Sequence, residues 1–184
     1  MNAWLKLLAV ALIGAVLAGC LATFDEPFAP GEKAPAALLG QWQARDAWGE
    51  HLKLSIQPAT NGRYTATSYQ KGAPAPRDQL TFTVSRHGGR WYASAPMPKA
   101  YGGRFAIVGF ELSEAGELVV YNLDLEQLQQ AIAQGGLAGE RFDTQDGQGV
   151  AVQSTPAQVF AWLDNPANSD VFVEIARYKK VAKR

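Results

Sequence analysis

The chain has 184 residues, with 17 basic and 17 acidic side chains and no net charge. Strong binding to nucleic acids relies on clustered Lys and Arg side chains, so this balance argues against a nucleic-acid partner. The single cysteine has no second cysteine to pair with, and an exported fold would therefore depend on its hydrophobic core.

The first twenty residues have the pattern of an export signal. Lys6 supplies positive charge, and residues 7–17 (LLAVALIGAVL) form a short apolar run. A membrane-spanning helix needs about 20 apolar residues, so this run is too short to span a bilayer. It ends at Leu17-Ala18-Gly19-Cys20, which resembles the lipobox of bacterial lipoproteins.

The lipobox resemblance implies that the signal peptide, residues 1–19, is cut off between Gly19 and Cys20. Cys20 would then carry lipid on its thiol and a palmitate-type acyl chain on its new amino group. Several acyl chains give a durable anchor, because each buried methylene contributes about 0.8 kcal/mol. An aspartate after the cysteine tends to mark inner-membrane retention in these lipoproteins, and here that residue is Leu21. We therefore expect a lipid-anchored envelope protein, on the outer membrane rather than the inner one, with a periplasmic or extracellular domain.

The residues after the anchor divide into a linker and one domain. Residues 20–37 are rich in Pro and Ala and show neither helical nor strand periodicity, which predicts a flexible tether. Residues 38–184 have the size of one domain with one core, and they contain no internal repeat.

The first two thirds of this domain predict a run of antiparallel strands. Apolar residues alternate with polar ones in residues 52–56 and again in residues 80–84, which is typical of half-buried strands. Four further aromatic or β-branched runs are separated by Gly-rich turns. A meander of this kind has to curl or close in order to bury its apolar face.

The last third predicts two helices and a closing strand. Asp124 caps the first helix, which ends at Gly135-Gly136, and Thr155-Pro156 opens the second. Val171, Val173 and Ile175 then alternate with other residues and predict a final strand, which could pair with the free edge of the sheet. The expected fold class is α+β: a strongly curved antiparallel meander or partial β-barrel of about 7–9 strands, with two short helices in the C-terminal third.

One stretch near the start of the domain resembles the G-x-W motif of lipocalins. It is Gly40-Gln41-Trp42, and in that family the tryptophan closes one end of the barrel, often beneath an arginine from a late strand. The resemblance implies barrel-end packing of Trp42, with Arg177 as the candidate partner by its position alone. The alternative is that Trp42 is an ordinary half-buried aromatic residue of the sheet.

Motifs that carry catalysis or bind metals are missing from the sequence. It contains no nucleophile elbow, no zinc-protease motif and no phosphate-binding loop. His51 and His87 are the only histidines, and both are expected at the surface rather than in a metal site. We therefore predict no catalytic residue, no metal and no cofactor, although distant carboxylates brought together by the fold would still allow an envelope hydrolase.

Two nonenzymatic functions fit the sequence. In the first, the domain is an accessory module that docks on an envelope protein or on peptidoglycan through exposed aromatics such as Tyr92, Tyr101 or Tyr178. In the second, it is a lipocalin-like carrier that binds a small apolar ligand inside the barrel. The first is favoured here, because the apolar residues are only numerous enough to fill a core.

Overall fold

The computed structural model describes residues 21–31, 33–45, 51–70, 75–76, 78–99, 103–144 and 147–182. In this part of the chain, one 11-stranded sheet is accompanied by two α-helices. The strands are β1 (Leu21–Phe24), β2 (Gly40–Arg45), β3 (His51–Pro58), β4 (Tyr64–Gln70), β5 (Asp78–His87), β6 (Arg90–Pro96), β7 (Phe105–Leu112), β8 (Glu117–Leu123), β9 (Gly139–Thr144), β10 (Gly147–Val152) and β11 (Phe172–Lys180). The helices are α1 (Leu125–Ala133) and α2 (Pro156–Leu163).

Eight of the strands form a closed antiparallel barrel. Strands β2 to β8 pair in chain order, and β11 closes the ring by pairing with β8 on one side and β2 on the other. One circuit of the barrel shifts the register by roughly 12 residues, so the strands are strongly tilted. The predicted α+β class and curved antiparallel sheet are confirmed, and the sheet closes completely.

Alternation along the strands separates an inward face from an outward one. In β6, Trp91 and Ala93 pack with the core inside the barrel, whereas the intervening Tyr92 belongs to a second core outside it. In β7, Phe110 faces the barrel interior and Ile107 faces the second core. Both faces of the β6–β7 wall are therefore covered by apolar side chains.

The second core lies between this wall and an outer layer. Strand β1 pairs with β7 at one residue, Phe24 with Phe105, and with β10 in parallel, and β9 then adds to β10. Leu128 from α1 and Val159 from α2 are buried in the same core as Val150. The C-terminal third thus completes the core on the barrel wall, in addition to supplying the closing strand.

The tether prediction for residues 20–37 is wrong wherever the structure describes this segment. Residues 21–24 form β1, and Phe24 and Phe28 are 2% and 1% exposed. The Phe28 N–H donates to Ser94 Oγ at 3.2 Å, and the Ala34 N–H donates to Tyr64 Oη at 2.9 Å. The folded domain therefore includes described residues before residue 38, because the buried side chains of Phe24 and Phe28 hold the Pro-rich segment against the barrel. Gly19 and Cys20 lie outside the described residues.

The two predicted helices are confirmed with their caps. Asp124 accepts a hydrogen bond from the Gln127 N–H at 2.9 Å, and Thr155 and Gln158 form a reciprocal capping box. Neither α1 nor α2, nor any other helix of the described residues, has the length and apolar character needed to cross a membrane.

The predicted final strand is present and pairs with β8 and β2, but its alternation is interrupted. Val171 precedes β11 and is fully buried, whereas Val173 is 45% exposed. A register shift between Glu174 and Ala176 interrupts the alternation, so that Tyr178 points into the barrel. A bulge of this kind cannot be identified from an alternating pattern alone.

Candidate ligand-binding site

One end of the barrel is closed by bulky side chains. We call the half of the barrel in which β2, β4, β6 and β8 begin the closed half, and the opposite half the mouth half. In the closed half, Trp42 is 1% exposed and packs with Tyr64, Phe82 and Phe110. The turn at Ala36–Leu38 lies against this core, with Leu38 2% exposed. This end is a packed plug.

The tryptophan of the G-x-W motif is held by a cation from the last strand, but the cation is Lys180. Its Nζ lies 4.1 Å from the centroid of the Trp42 ring and donates to the carbonyls of Ala37 and Leu39. The Trp42 Nε1–H donates to the Leu38 carbonyl at 2.9 Å. Trp42 is therefore packed at the closed end of the barrel, beside Lys180.

The prediction that Arg177 packs on Trp42 is wrong. Arg177 is paired with Val119, which lies on the outward face, and its guanidinium bonds Glu174 at 2.6 Å and Glu117 at 2.8 Å. Its hydrogen bonds to Glu174 lower the pKa of that carboxyl group. Residues 177 and 180 lie on opposite faces of a strand, so only one of them can reach Trp42.

The mouth half is lined differently from the closed half. Apart from the polar Ser68 and Asp78, most of its described inward positions hold small or aliphatic side chains, and these are half-buried instead of buried. Five of them are the alanines Ala44, Ala66, Ala93, Ala95 and Ala106. Four more are Leu52, Leu54, Leu80 and Val108.

Half-exposure of these inward side chains means that solvent reaches them from the mouth of the barrel. Phe82 and Val84, by comparison, are 6% and 1% exposed on the same inward face. Eight strands enclose an interior that is either filled by side chains or able to hold one small ligand. Here, the small inward side chains of the mouth half occupy less volume than Trp42, Tyr64, Phe82 and Phe110 do in the closed half. We call the apolar inward surface of the mouth half the cup.

A second concave surface lies outside the barrel, between the β5–β6 turn, α2 and β11. It encloses about 340 Å³. Arg90 donates to Glu111 at 2.9 Å and stacks over Phe172 at 3.7 Å from the ring centroid. Gly109 lies beneath, where a Cβ atom would come within 3.1 Å of the Arg90 side chain. The charged groups of this outer cleft are thus already paired with one another.

His87 also lies at the outer cleft, and its contacts link the end of β5 to α2 and the residue that follows it. Its Nε2 lies 2.8 Å from Asp164 Oδ1, and its ring stacks on Phe160 at 4.0 Å between centroids. His51 begins β3 on the other side of the barrel and is half-buried. Among the residues that the structure describes, no cluster of three or more metal-ligating side chains occurs.

The aromatic residues proposed for a docking surface do not form one. Tyr92 is 4% exposed in the second core, and burial raises its pKa to about 12. Tyr178 points into the barrel, and burial raises its pKa as well. Tyr101 lies outside the described residues. The prediction of exposed aromatics is therefore wrong for Tyr92 and Tyr178, because each is on a face that another layer covers.

The cup was not identified from the sequence as a set of residues. Its signal is the alanine at inward positions of β2, β4, β6 and β7, and this becomes visible only once the register of the closed barrel is known. Comparison of the chain with protein-family models, with curated proteins and with solved structures finds no match.

Proposed function

We propose that this protein is a lipid-anchored envelope protein whose barrel binds a small apolar molecule in the cup. One observation carries the proposal: Trp42, Tyr64, Phe82 and Phe110 are bulky and buried in the closed half, whereas the inward alanines and aliphatic residues of the mouth half are half-exposed. Binding sites for small molecules are concave and mostly apolar, and the mouths of β-barrels are a common place for them. The anchor rests on the lipobox-like sequence that ends at Cys20.

The cup can be tested by filling it. Ala95 is half-buried on the inward face of β6, opposite Ala106 of β7. In an open cup, the Ala95→Phe variant places its ring in empty space, stays as stable as the wild type and loses affinity for a neutral apolar fluorophore. In a packed interior, the same ring would cost about 1–3 kcal/mol of stability. Ala157→Phe, at an exposed position of α2, is the matched control and should change neither property.

A native mass spectrum of the purified mature protein gives an independent readout. A retained small molecule that is lost in Ala95→Phe would support the cup. Unchanged fluorophore binding by Ala95→Phe, or a variant destabilised by the amount expected for overpacking, would contradict the proposal.

A docking module remains the second candidate, and the outer cleft is the observation that favours it. Asp164 is 61% exposed and Glu111 is 43% exposed at this cleft, so polar groups are available to a partner. Their pairing with His87 and Arg90 makes a structural role for these groups the simpler explanation. A pull-down from cross-linked envelopes, comparing the wild type with Asp164→Asn, would show whether a partner depends on the cleft.

A further inference from the structure

We infer that two copies of this chain pair along β9 and form a symmetric dimer in which the two sheets become one. Strand β9 lies at one end of the strand order, after β1 and β10. Among the residues that the structure describes, it pairs with β10 on one side and with no strand on the other. This inference goes beyond the proposed function and does not depend on the cup.

Every second residue of β9 directs its backbone N–H and C=O groups away from β10. The Asp25 N–H donates to the Val152 carbonyl at 3.1 Å, so Val152 directs its groups towards β1. Val152 is opposite Gly139, and the register between β9 and β10 is regular. The two members of an antiparallel pair either bond each other or both point away, so Gly139, Arg141 and Asp143 point to the open edge. Such a row is a template for another strand.

The charges on this edge select one register for a second copy of β9. Two antiparallel copies can bond only where outward-pointing residues oppose each other, so the symmetry axis passes through a residue. An axis through Glu140, Arg141 or Asp143 places two like charges opposite each other, which is unfavourable. An axis through Phe142 instead places Arg141 of each copy opposite Asp143 of the other copy.

Arg141 and Asp143 are available for these two ion pairs. Both side chains are exposed, and neither has an ion pair or a hydrogen bond within the described part of the chain. Charged side chains on an edge strand discourage pairing with unrelated strands. Here the same charges are complementary to a second copy, so they favour the chain's own β9 as the partner.

Phe142 adds an apolar contact at the centre of this pairing. Its neighbour in β10 is Gly149, which has no side chain, and the Phe142 ring is half-buried. On the axis, the two Phe142 residues form a pair without hydrogen bonds, in which side chains come closest. Aromatic pairs across strands stabilise sheets. The expected interface is therefore a pair of rings flanked by two ion pairs.

Cysteine cross-linking in cells that express the full chain reads out the register. Phe142→Cys should give a disulfide-linked dimer on non-reducing gels after mild oxidation, because its Cα atoms would lie about 4.5 Å apart. Glu140→Cys is the matched control on the same face of β9. Its two copies would be offset by about 14 Å along the strands and should not cross-link. Arg141→Cys and Asp143→Cys should not cross-link either, and the wild type, with Cys20 alone, gives the background.

Charge reversal tests the two ion pairs without any new cysteine. Two copies with different affinity tags are co-expressed, and capture of one tag from detergent-solubilised cells recovers the other copy. Arg141→Asp and Asp143→Arg each place like charges opposite each other twice, and each should lower recovery about tenfold. The double variant restores opposite charges and should recover the wild-type level. Glu114→Arg, at an exposed position of the β7–β8 turn, is the control and should change nothing.

A cross-link through Phe142→Cys and recovery in the double variant would support the inference. If wild-type copies do not capture each other, the inference is overturned, and this result holds even where Phe142→Cys does not fold. A cross-link through Glu140→Cys, Arg141→Cys or Asp143→Cys instead overturns the register. A double variant that recovers no better than the single variants overturns the role of the ion pairs.

Discussion

Lys180 should contribute measurably to stability, whereas Arg177, three residues earlier on the same strand, should contribute much less. The change is Lys180→Met, which keeps most of the aliphatic stem but removes the charge and the donors. Lys180 bonds two backbone carbonyls and stacks on Trp42. Hydrogen bonds from charged groups contribute about 1.5–3 kcal/mol and a cation–π contact about 0.5–2 kcal/mol.

We expect Lys180→Met to lower the free energy of unfolding by about 2 kcal/mol. This is less than the sum of these contributions, because the exposed Ala37 carbonyl can accept a hydrogen bond from water instead. In a domain of this size that corresponds to a fall of roughly 4–8 °C in Tm. Arg177→Met is the matched control: its ion pairs with Glu174 and Glu117 are exposed to solvent, and surface pairs contribute little.

Urea unfolding followed by far-UV circular dichroism measures both variants against the wild type. The reasoning is refuted if Arg177→Met is destabilised as much as Lys180→Met, or if Lys180→Met unfolds at the wild-type urea concentration. Either result would mean that the plug at the closed end does not depend on the cation over Trp42.

Four further predictions address the anchor, the outer layer and the closure of the barrel. Cys20→Ala should abolish labelling by radioactive palmitate and leave an uncleaved precursor on gels. Phe28→Ala should lower the unfolding free energy by about 3–5 kcal/mol, because the ring is buried against Phe24 and Tyr92. Truncation after Gly149 removes β11, the strand between β8 and β2, and should abolish amide dispersion and the cooperative melt. Because burial raises the Tyr92 pKa to about 12 from an ordinary value of 10.0, its stabilising contribution is fully present below pH 10 and is lost between about pH 10 and 12; this loss should be absent from the pH dependence of unfolding of Tyr92→Phe.

Each of these has an outcome that contradicts it. Lipid labelling that persists in Cys20→Ala would contradict the proposed lipid attachment at Cys20. A Phe28→Ala variant as stable as the wild type would restore the tether, and sharp amide dispersion in the truncated chain would show that β2 to β8 fold without β11. If the unfolding free energy changes with pH above pH 10 in the same way in the wild type and in Tyr92→Phe, burial does not raise the Tyr92 pKa as expected.

Local pattern was enough to predict most of the strands and both helices. The alternation in residues 52–56 and 80–84 and the caps at Asp124 and Thr155 depend on neighbours in sequence, and all of these elements are present. Strand β1 was missed because four residues before a Pro-rich stretch carry no periodicity, and their partner in β10 is distant in the chain.

The closed barrel and its cup could not be predicted as a site for a related reason. Closure depends on β11 fitting between β8 and β2, which only long-range registers determine. The choice between Arg177 and Lys180 depends on the same register, since position along the chain does not tell which of the two faces inward. The sequence around an alanine such as Ala93 does not show that it faces the barrel interior. That becomes clear only when its cross-strand partners on β5 and β7 are known.

The parallel pairing of β1 with β10 also bears on the order in which strand pairing and N-terminal processing occur. Ala22 lies beside Val150, so the parallel pairing of β1 with β10 cannot form until the chain has been synthesised beyond Val150. If Cys20 carries lipid as proposed, the enzymes that cleave and acylate it act one residue away from this strand. Acylation of an extended N-terminus would then come first, and the docking of β1 would be the late step that brings the finished domain directly against its anchor.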